Sequence, residues 1–474
     1  MFDRETGTVF LTVVSLAMAL SGCVVDPSEL ADSSIDGGRK YRNAAATYSQ
    51  LPAGRWWDCF GDEGLNQLVR KLDRQSPSLA VTLARYDRAR GELGLARADK
   101  FPRITGQVQA TRNRDSGSGV FVPPDLTYNE FRSALNLEWE IDFWGRVRRL
   151  VEAAQAEADA TEADLAAARL SLRAELARNY FQLRFLDAEI GVIRENLRLR
   201  EENRKLVSAR VEGGETTDLD LARAETELEA TRADLLQQQR TRATYLHAIA
   251  VLVGEVPSGF SLPSSPVKTP PTIPAGVPSE LLSRRPDIHA ADRRMDAAAA
   301  RIGAVRASYL PRVSLNGAGG LSSLDLSDLF DPSSLFGEIG PDVTIPLYNA
   351  GRSGVDEDRA FAESDEAVAL YRETVLTAFR EVEDALSGIH FLDREISAHR
   401  SAAASAERAA RLSRKRYEGG LVSFLEVVDA ERTALQETRE LVQAKSARLL
   451  QTVQLIQALG GGWDIPAGND NGDT

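Results

Sequence analysis

Two periodicities alternate along the chain, and the whole alternation occurs twice. From residue 131 to 143, Phe131, Ser133, Leu135, Leu137, Trp139, Ile141 and Phe143 occupy every second position, with Arg132, Ala134, Asn136, Glu138, Glu140 and Asp142 between them. Upstream, Ile104, Val108 and Ala110 alternate with Thr105, Gln107, Gln109 and Thr111. A period of two is that of a strand with one apolar and one wet face. The pattern returns where Val313, Leu315 and Gly317 alternate with Arg312, Ser314 and Asn316, and where Ile339, Val343, Ile345 and Leu347 alternate with Gly340, Asp342, Thr344 and Pro346. These segments predict strands over about 101–114, 130–143, 310–320 and 338–348. Loops rich in Gly, Ser, Pro and Asp, Asp115–Asn129 and Leu321–Gly337, split each pair.

After each strand pair the period changes to about 3.5. Leu172, Leu176, Leu183, Leu186, Ile190, Ile193 and Leu197 recur mostly at spacings of four and three, as do Val375, Phe379, Val382, Leu386 and Ile389. Such seams, flanked by alanines and strong helix formers, predict uninterrupted helices over about 145–211 and 352–417. At 1.5 Å per residue each would reach roughly 100 Å. Arg146 and Arg352, Arg210 and Arg416, and Gly254 and Gly460 all keep one offset of 206 residues. The predicted organisation is therefore two repeats, 56–254 and 281–462, joined by a segment, 255–280. Its stretch Pro257–Pro278 holds seven prolines, a composition that suits an extended strap.

Glu212-Gly213-Gly214 and Glu418-Gly419-Gly420 end the long helices, and new helices start near Thr216/Thr217-Asp218 and Ser423. Glycine permits the reversal, and Thr, Ser or Asp suits an N-cap. Gly213, Gly214, Thr217, Gly419, Gly420 and Ser423 thus form two helical tips, which read as plain turns or as docking sites. Just beyond them Asp220 and Glu426 are equivalent by the same offset, and Asp429 lies one turn after Glu426. Carboxylates there suit the helix dipole; in a symmetric oligomer they would also form acidic rings at a tube mouth. Arg210 and Arg416 stand near enough to pair with them.

The N-terminal run Val9–Leu20 is too short to span a bilayer and reads as a secretory signal over 1–22. It ends in Leu20-Ser21-Gly22-Cys23, which resembles a bacterial lipobox with Cys23 as the lipidated residue; an ordinary signal with a chance cysteine is the other reading. Residues 23–55 would form a lipid-anchored tether, and 463–474 a tail. No other stretch is long and apolar enough for a transmembrane helix. If the strands cross a membrane instead, four of them cannot close a barrel, and several chains must share one. Glu138, Glu140, Asp142 and Asp342 would then face a water-filled lumen. A half-buried hairpin on a soluble helical core is the alternative.

The net charge of −13 argues against nucleic acid as a partner. With two cysteines and four scattered histidines, no pair has metal-ligand spacing. No Ser/His/Asp arrangement, phosphate loop or cofactor fingerprint is present, so no catalytic residue, metal or cofactor is expected beyond a covalent lipid on Cys23. The functions that remain are a passive exit duct or a lipid-anchored coiled-coil tether or adaptor without a pore.

Four segments carry a family resemblance: Arg55-Trp56-Trp57-Asp58-Cys59-Phe60-Gly61-Asp62, Ser279–Ile288 around Arg284-Arg285-Pro286-Asp287, Arg416–Asp429, and Ala458-Leu459-Gly460-Gly461-Gly462-Trp463. Together they resemble the TolC-type outer-membrane factors, in the lipoprotein, NodT-like branch that serves tripartite efflux pumps. The resemblance implies a mainly α fold with a small transmembrane β part. It implies a homotrimer whose twelve strands form one barrel in outer-membrane lipid, continuing into a twelve-helix periplasmic α-barrel. A periplasmic adaptor (membrane fusion protein) would dock at the tips, and an inner-membrane transporter of the resistance-nodulation-division class would supply the energy. The positions matching Asp220, Glu426 and Asp429 would line the entrance, and Tyr417 would take part in closed-state contacts. Val422 departs from an arginine used for gating in some members, so the latch here would use Arg416 or hydrophobic contact instead. Cys59 reads as a buried small residue rather than a reactive thiol.

Overall fold

The computed structural model describes residues 35, 41, 54–114, 127–266, 271, 273 and 284–463. The signal segment, Cys23 and nearly all of the tether lie outside the described residues, as do loop positions 115–126, much of the Pro-rich strap and the tail beyond Trp463. In chain order the elements are α1 (Glu63–Gln75), α2 (Pro77–Ala98), β1 (Arg103–Arg114), β2 (Thr127–Glu140), α3 (Arg146–Glu212), α4 (Asp218–Leu252), α5 (Pro286–Ala307), β3 (Arg312–Ser323), β4 (Leu335–Thr344), α6 (Arg352–Glu418) and α7 (Phe424–Ala458). Helices α3 and α6 are each 67 residues long, and α4 and α7 are each 35. Both pairs keep the 206-residue offset at both ends. Among the described residues no helix is long and apolar enough to cross a membrane.

The strands form one antiparallel sheet in the order β1-β2-β3-β4, so the two copies meet at β2–β3. Their bounds differ from the alternation in ways the local chemistry explains. β2 stops at Glu140 because Asp142 caps α3: the Val147 and Arg148 amides donate to its carboxylate at 3.1 and 2.9 Å. β4 stops at Thr344, two residues before Pro346, which has no N–H for a ladder. β3 runs on to Ser323 because Gly319 and Gly320 remain paired with β2.

Packing groups like parts of both copies rather than one copy at a time. One compact unit holds Arg85–Glu162 with Ala290–Arg372, and therefore all four strands; the other holds Ile35–Ala84, Ala163–His289 and the chain from Glu373. In the second unit the main core gathers Trp56, Trp57 and Phe60 with Leu65, Leu68, Val69 and Leu72 of α1. Against them pack Leu176, Tyr180, Phe181 and Leu183 of α3, Ile249 of α4, and Leu449, Val453 and Ile456 of α7. Asp62 organises this corner: it caps α1 by accepting from the Leu65 amide at 3.2 Å and accepts from the Tyr180 hydroxyl at 2.8 Å. Cys59 is half-buried there, and burial pushes its thiol up to about 11, which suits a packing residue.

The motifs behind the resemblance are packing devices of this unit. Buried Arg285 donates to the Ala458 carbonyl at 3.0 Å, to Glu381 at 2.7 Å and to Asp287 at 2.6 Å. Gly254 and Gly460, equivalent in the two copies, both have positive φ (76° and 83°). A Cβ on Gly254 would lie 2.4 Å from the Gln75 carbonyl oxygen, and one on Gly460 would lie 1.9 Å from that of Arg284.

In the first unit the two strand-to-helix junctions are unequal. Before α3, Arg146 donates to Glu140 at 2.8 and 2.7 Å, Arg312 pairs with the same carboxylate at 2.8 Å, and the Trp144 indole donates to the Pro311 carbonyl at 2.8 Å. Before α6, exposed Tyr348 stands at the position of the cap Asp142, and Ala350 holds a left-handed φ of 53°. A non-glycine residue there carries strain of about 1–2 kcal/mol.

Two outcomes follow. Ala350→Gly is expected to raise the thermal unfolding midpoint, because the strain relieved exceeds the roughly 0.5–1 kcal/mol entropy cost of glycine. Gly460→Ala is expected to lower that midpoint, through a stability loss of at least ~2 kcal/mol from strain and overlap together. Circular dichroism melts of the purified protein measure both.

Candidate functional site

The tips are built from glycine reversals of one design. The Glu215 amide donates to the Arg210 carbonyl at 2.8 Å and the Gly214 amide to that of Val211 at 3.0 Å; Leu421 to Arg416 at 2.9 Å and Gly420 to Tyr417 at 3.0 Å repeat the pair. This is a Schellman closure, and it needs the positive φ of Gly214 (71°) and Gly420 (70°). Both glycines face open space. Thr217 and Ser423 occupy the N-cap positions of α4 and α7, but neither side chain bonds to the helix. Thr216 instead donates to Asp220 at 2.7 Å.

The arginines near the tips do not meet the carboxylates in the expected way. Arg210 donates to the carbonyls of Tyr417 and Glu418 at 3.0 and 2.9 Å, and its guanidinium lies 4.6 Å from the Tyr417 ring centre. The first hairpin thereby caps the C-terminus of α6, where the exposed carbonyls carry partial negative charge. Asp220 is engaged by Thr216 and by Arg223 at 3.3 Å, not by Arg210. Among the described residues Arg416, Glu426 and Asp429 form no ion pair within the chain. Tyr417 is buried with Phe424, Val427, Val428, Val207 and Ala224, and its hydroxyl has no partner within the chain. Val422 packs on this cluster.

About three turns from the tips lies a buried polar network that the pattern analysis missed. Arg200 of α3 and Arg432 of α7 both donate to Glu227 of α4. Asn203 of α3 donates to both oxygens of Glu431 of α7 at 3.0 Å, and Arg414 of α6 donates to the same carboxylate. Arg439 of α7 extends the ladder to Glu189 and Asp234, each at 2.8 Å. Burial alone would raise the Glu227 carboxyl, but hydrogen bonds from Arg432 and Arg200 outweigh it and hold the group below its usual range. The signal was present: Arg200 continues the spacing Ile193, Leu197 into the seam, where a polar residue needs a buried partner.

The strand register separates two faces of the sheet. Ile104 pairs with Leu137, Leu137 with Gly317, and Gly317 with Ile339; Leu321 pairs with Leu335 and Val313 with Val343. All four strands therefore present their apolar positions to one side, where Val108, Ile339, Leu335 and Ile104 stand exposed in the single chain. The other side carries Arg103, Glu138, Asn316 and Gly340 in one row, and Glu140, Ser314 and Asp342 in another. Glu138 lies opposite Arg103, and Glu140 is held by Arg146 and Arg312. Asp142 stands apart from this face as the α3 cap. At the helix end of the sheet, the Trp139 indole donates to the Lys100 carbonyl at 3.0 Å, near exposed Phe101, Phe143 and Tyr348. Among the described residues no group of three His, Cys, Asp or Glu side chains is placed to hold a metal ion.

Comparison with known proteins gives a consistent result. The sequence profile of the family described as outer membrane efflux protein matches residues 68–255 and 277–461, one stretch per repeat. The chain is similar to Outer membrane protein OprJ of Pseudomonas aeruginosa, with 33% identity over 464 residues covering 96% of each chain. It is also similar to Cation efflux system protein CusC of Escherichia coli, with 32% identity over 89% of this chain and 90% of that one. The crystal structure of the outer membrane protein VceC of Vibrio cholerae superposes with a TM-score of 0.81 at 32% identity, over 87% of this chain and all of that one.

The network near the tips generates one expectation. Glu227→Ala leaves Arg200 without its buried counter-charge and should destabilise the fold by about 3–5 kcal/mol at neutral pH. Because the Glu227 carboxyl is depressed, its contribution is complete above the ordinary glutamate range near 4.3 and is lost as pH falls through the folded value. The gap between wild type and variant in urea denaturation should therefore narrow as pH falls below about 4. A gap that stays constant from pH 7 to pH 3 contradicts the assignment.

Proposed function

The chain belongs to the outer membrane efflux protein family, and from that premise we propose that three copies close one barrel and serve as the passive exit duct of a tripartite pump. The family is one of outer-membrane channels. The observation that carries the trimeric reading is the sheet, which gathers the apolar positions of all four strands on one face and has no strand paired beyond β1 or β4 among the described residues. The apolar run Phe131–Trp139 covers about 27 Å of strand, close to the hydrocarbon band a tilted strand must cross. In lipid no edge can stay unpaired. Two copies would give eight strands, whose interior side chains fill; three give twelve and leave a lumen.

On this reading the polar face, with Glu138, Glu140 and Asp342, lines the water-filled lumen, and the aromatic residues at the helix end sit in the membrane interface. Asp142, the helix cap, marks the lower rim. The paired arginines soften any acidic field there, so charge selectivity falls mainly to the tips. Asp220, Glu426 and Asp429 line the periplasmic entrance, and Tyr417, Arg210 and Val422 hold it closed at rest. Gly213, Gly214, Thr217, Gly419, Gly420 and Ser423 form the docking surface for a periplasmic adaptor, which couples the duct to an inner-membrane transporter of the resistance-nodulation-division class. Cys23 carries the lipid that anchors the N-terminus.

The duct should behave as a heat-stable trimer with single-channel conductance in planar bilayers. A monomeric, non-conducting protein refutes it in favour of a lipid-anchored tether. Replacing Asp220, Glu426 and Asp429 together with alanine should shift the reversal potential away from cation preference by several millivolts in a tenfold salt gradient. Unchanged potentials would remove the carboxylates from the entrance. Gly420→Lys should impair export in a deletion strain while trimer yield persists; Gly420→Asn, which tolerates the same φ, should export normally. Full rescue by the lysine variant would remove the tip as a docking site. Mass spectrometry of the mature N-terminus tests acylation of Cys23.

A further inference from the structure

One pair of side chains on the polar face of the sheet has no part in the reading so far. Arg132 stands on β2 and Phe336 on β4, with β3 between them. Phe336 pairs with Gly320, and Gly320 with Ala134, one alternate position along β2 from Arg132. The Arg132 guanidinium carbon lies 4.4 Å from the Phe336 ring centre, so the two side chains meet across β3 at its glycine. Any side chain at position 320 would stand between them, and the backbone admits none: a Cβ would lie 2.0 Å from the Ser133 carbonyl oxygen. Ala134 beside it is the one residue of β2 that is buried.

The arginines at the helix end of the sheet have carboxylates to face. Arg312 and Arg146 hold Glu140, Arg148 holds Asp142, and Arg103 stands opposite Glu138. Glu130 lies two residues from Arg132 on the same face, and Glu338 two residues from Phe336, yet among the described residues Arg132 forms an ion pair with neither. Its guanidinium carbon lies over an aromatic ring on one side. That leaves the opposite face open to stacking and the in-plane N–H groups open to an anion. Phe336 is otherwise an apolar ring on a face of Gln, Thr, Ser, Asn and charged residues.

We propose that Arg132, seated over the Phe336 ring, is a contact site for planar anionic molecules on the wall of the duct. The proposal deepens the barrel reading and rests on it, since only there does this face border the path of exported solutes. The ring holds the cation in place through the attraction of its π face. The cation then offers one carboxylate- or sulfonate-binding edge and one stacking face, near the end of the sheet opposite the long helices. The site acts on passage, as a specificity-determining contact, and performs no chemistry.

The test uses the full chain in planar bilayers, with naphthalene-1,3,6-trisulfonate as the probe and hexaamminecobalt(III) as a cationic control. Block by the trisulfonate from the strand side is expected in wild type, at least tenfold weaker in Arg132→Ala and clearly weaker in Phe336→Leu, with the cobalt block unchanged. Arg132→Lys keeps the charge without the plane and should fall between. Equal trisulfonate block in wild type and Arg132→Ala, at normal conductance, overturns the proposal. So does a wild-type channel that the trisulfonate does not block from the strand side. A chain that assembles but conducts nothing fails the duct reading itself, and the two failures are thus distinguishable.

Discussion

A strand edge in hydrocarbon has no water to satisfy its N–H and C=O groups, and that constraint governs this molecule. Among the described residues the chain carries four strands with a common apolar face, too few to close on themselves and too apolar on one side to be left in water. Closure has to come from further copies of the chain. Once copies are required, each strand pair must deliver its long helix at a fixed register, and the junctions take on that task. Asp142, Glu140, Arg146, Arg312 and Trp144 hold the first junction through hydrogen bonds and ion pairs. The second is held by other groups around a strained Ala350: the Tyr309 hydroxyl and Asn349 donate to Ser353, and Arg306 pairs with Glu357 at 2.8 Å.

That inequality is part of a wider one. The helical parts of the two copies agree residue for residue in length, yet their buried chemistry does not repeat. Arg200 and Asn203 have Ala406 and Ala409 as their counterparts, and Glu227 has Thr433. The polar ladder joins α3 and α4 of the first copy to α6 and α7 of the second, and the arginine–glutamate pairs of the two copies stand at different positions in the 206-residue register. Buried charges of this kind contribute little net stability against an apolar alternative, but they penalise wrong pairings heavily. The duplicated backbone sets a repeated architecture, and the ladder makes the two hairpins non-interchangeable within it.

Much of this was legible in residue order because the signals were periodic. The change from period two to period 3.5 placed four strands and two long helices, and the helix ends came within a residue or so. The Gly-Gly reversals and the 206-residue offset placed the tips. What the pattern could not carry were contacts to backbone. Arg210 finds the carbonyls of Tyr417 and Glu418, acceptors that leave no mark in a sequence, so the expectation that it would pair with Asp220 failed. The end of β2 slipped because Asp142 alternates correctly for a strand and also caps a helix. The meaning of Arg285 and Gly460 was hidden as well. Their motifs signalled kinship, and only the fold shows that one braces a chain end and the other leaves room for a carbonyl oxygen.

The equal length of α3 and α6 also constrains how such a chain can change. Removing one residue from the middle of either helix would shorten it by about 1.5 Å and rotate everything beyond by about 100°. Arg200 and Asn203 would swing out of the seam, and Arg210 would leave the carbonyls it caps. Lengths that keep both the phase and the match between copies differ by whole heptads, removed or added in both helices at once. Insertions elsewhere face no such condition: Pro102 to Gly145 spans 43 positions and Pro311 to Gly351 spans 40, so the copies differ by three residues in the strand hairpins. The helices act as a pair of rulers cut to one length, graduated in steps of seven, on which a single-residue deletion is a lesion while a matched double heptad is only a change of scale.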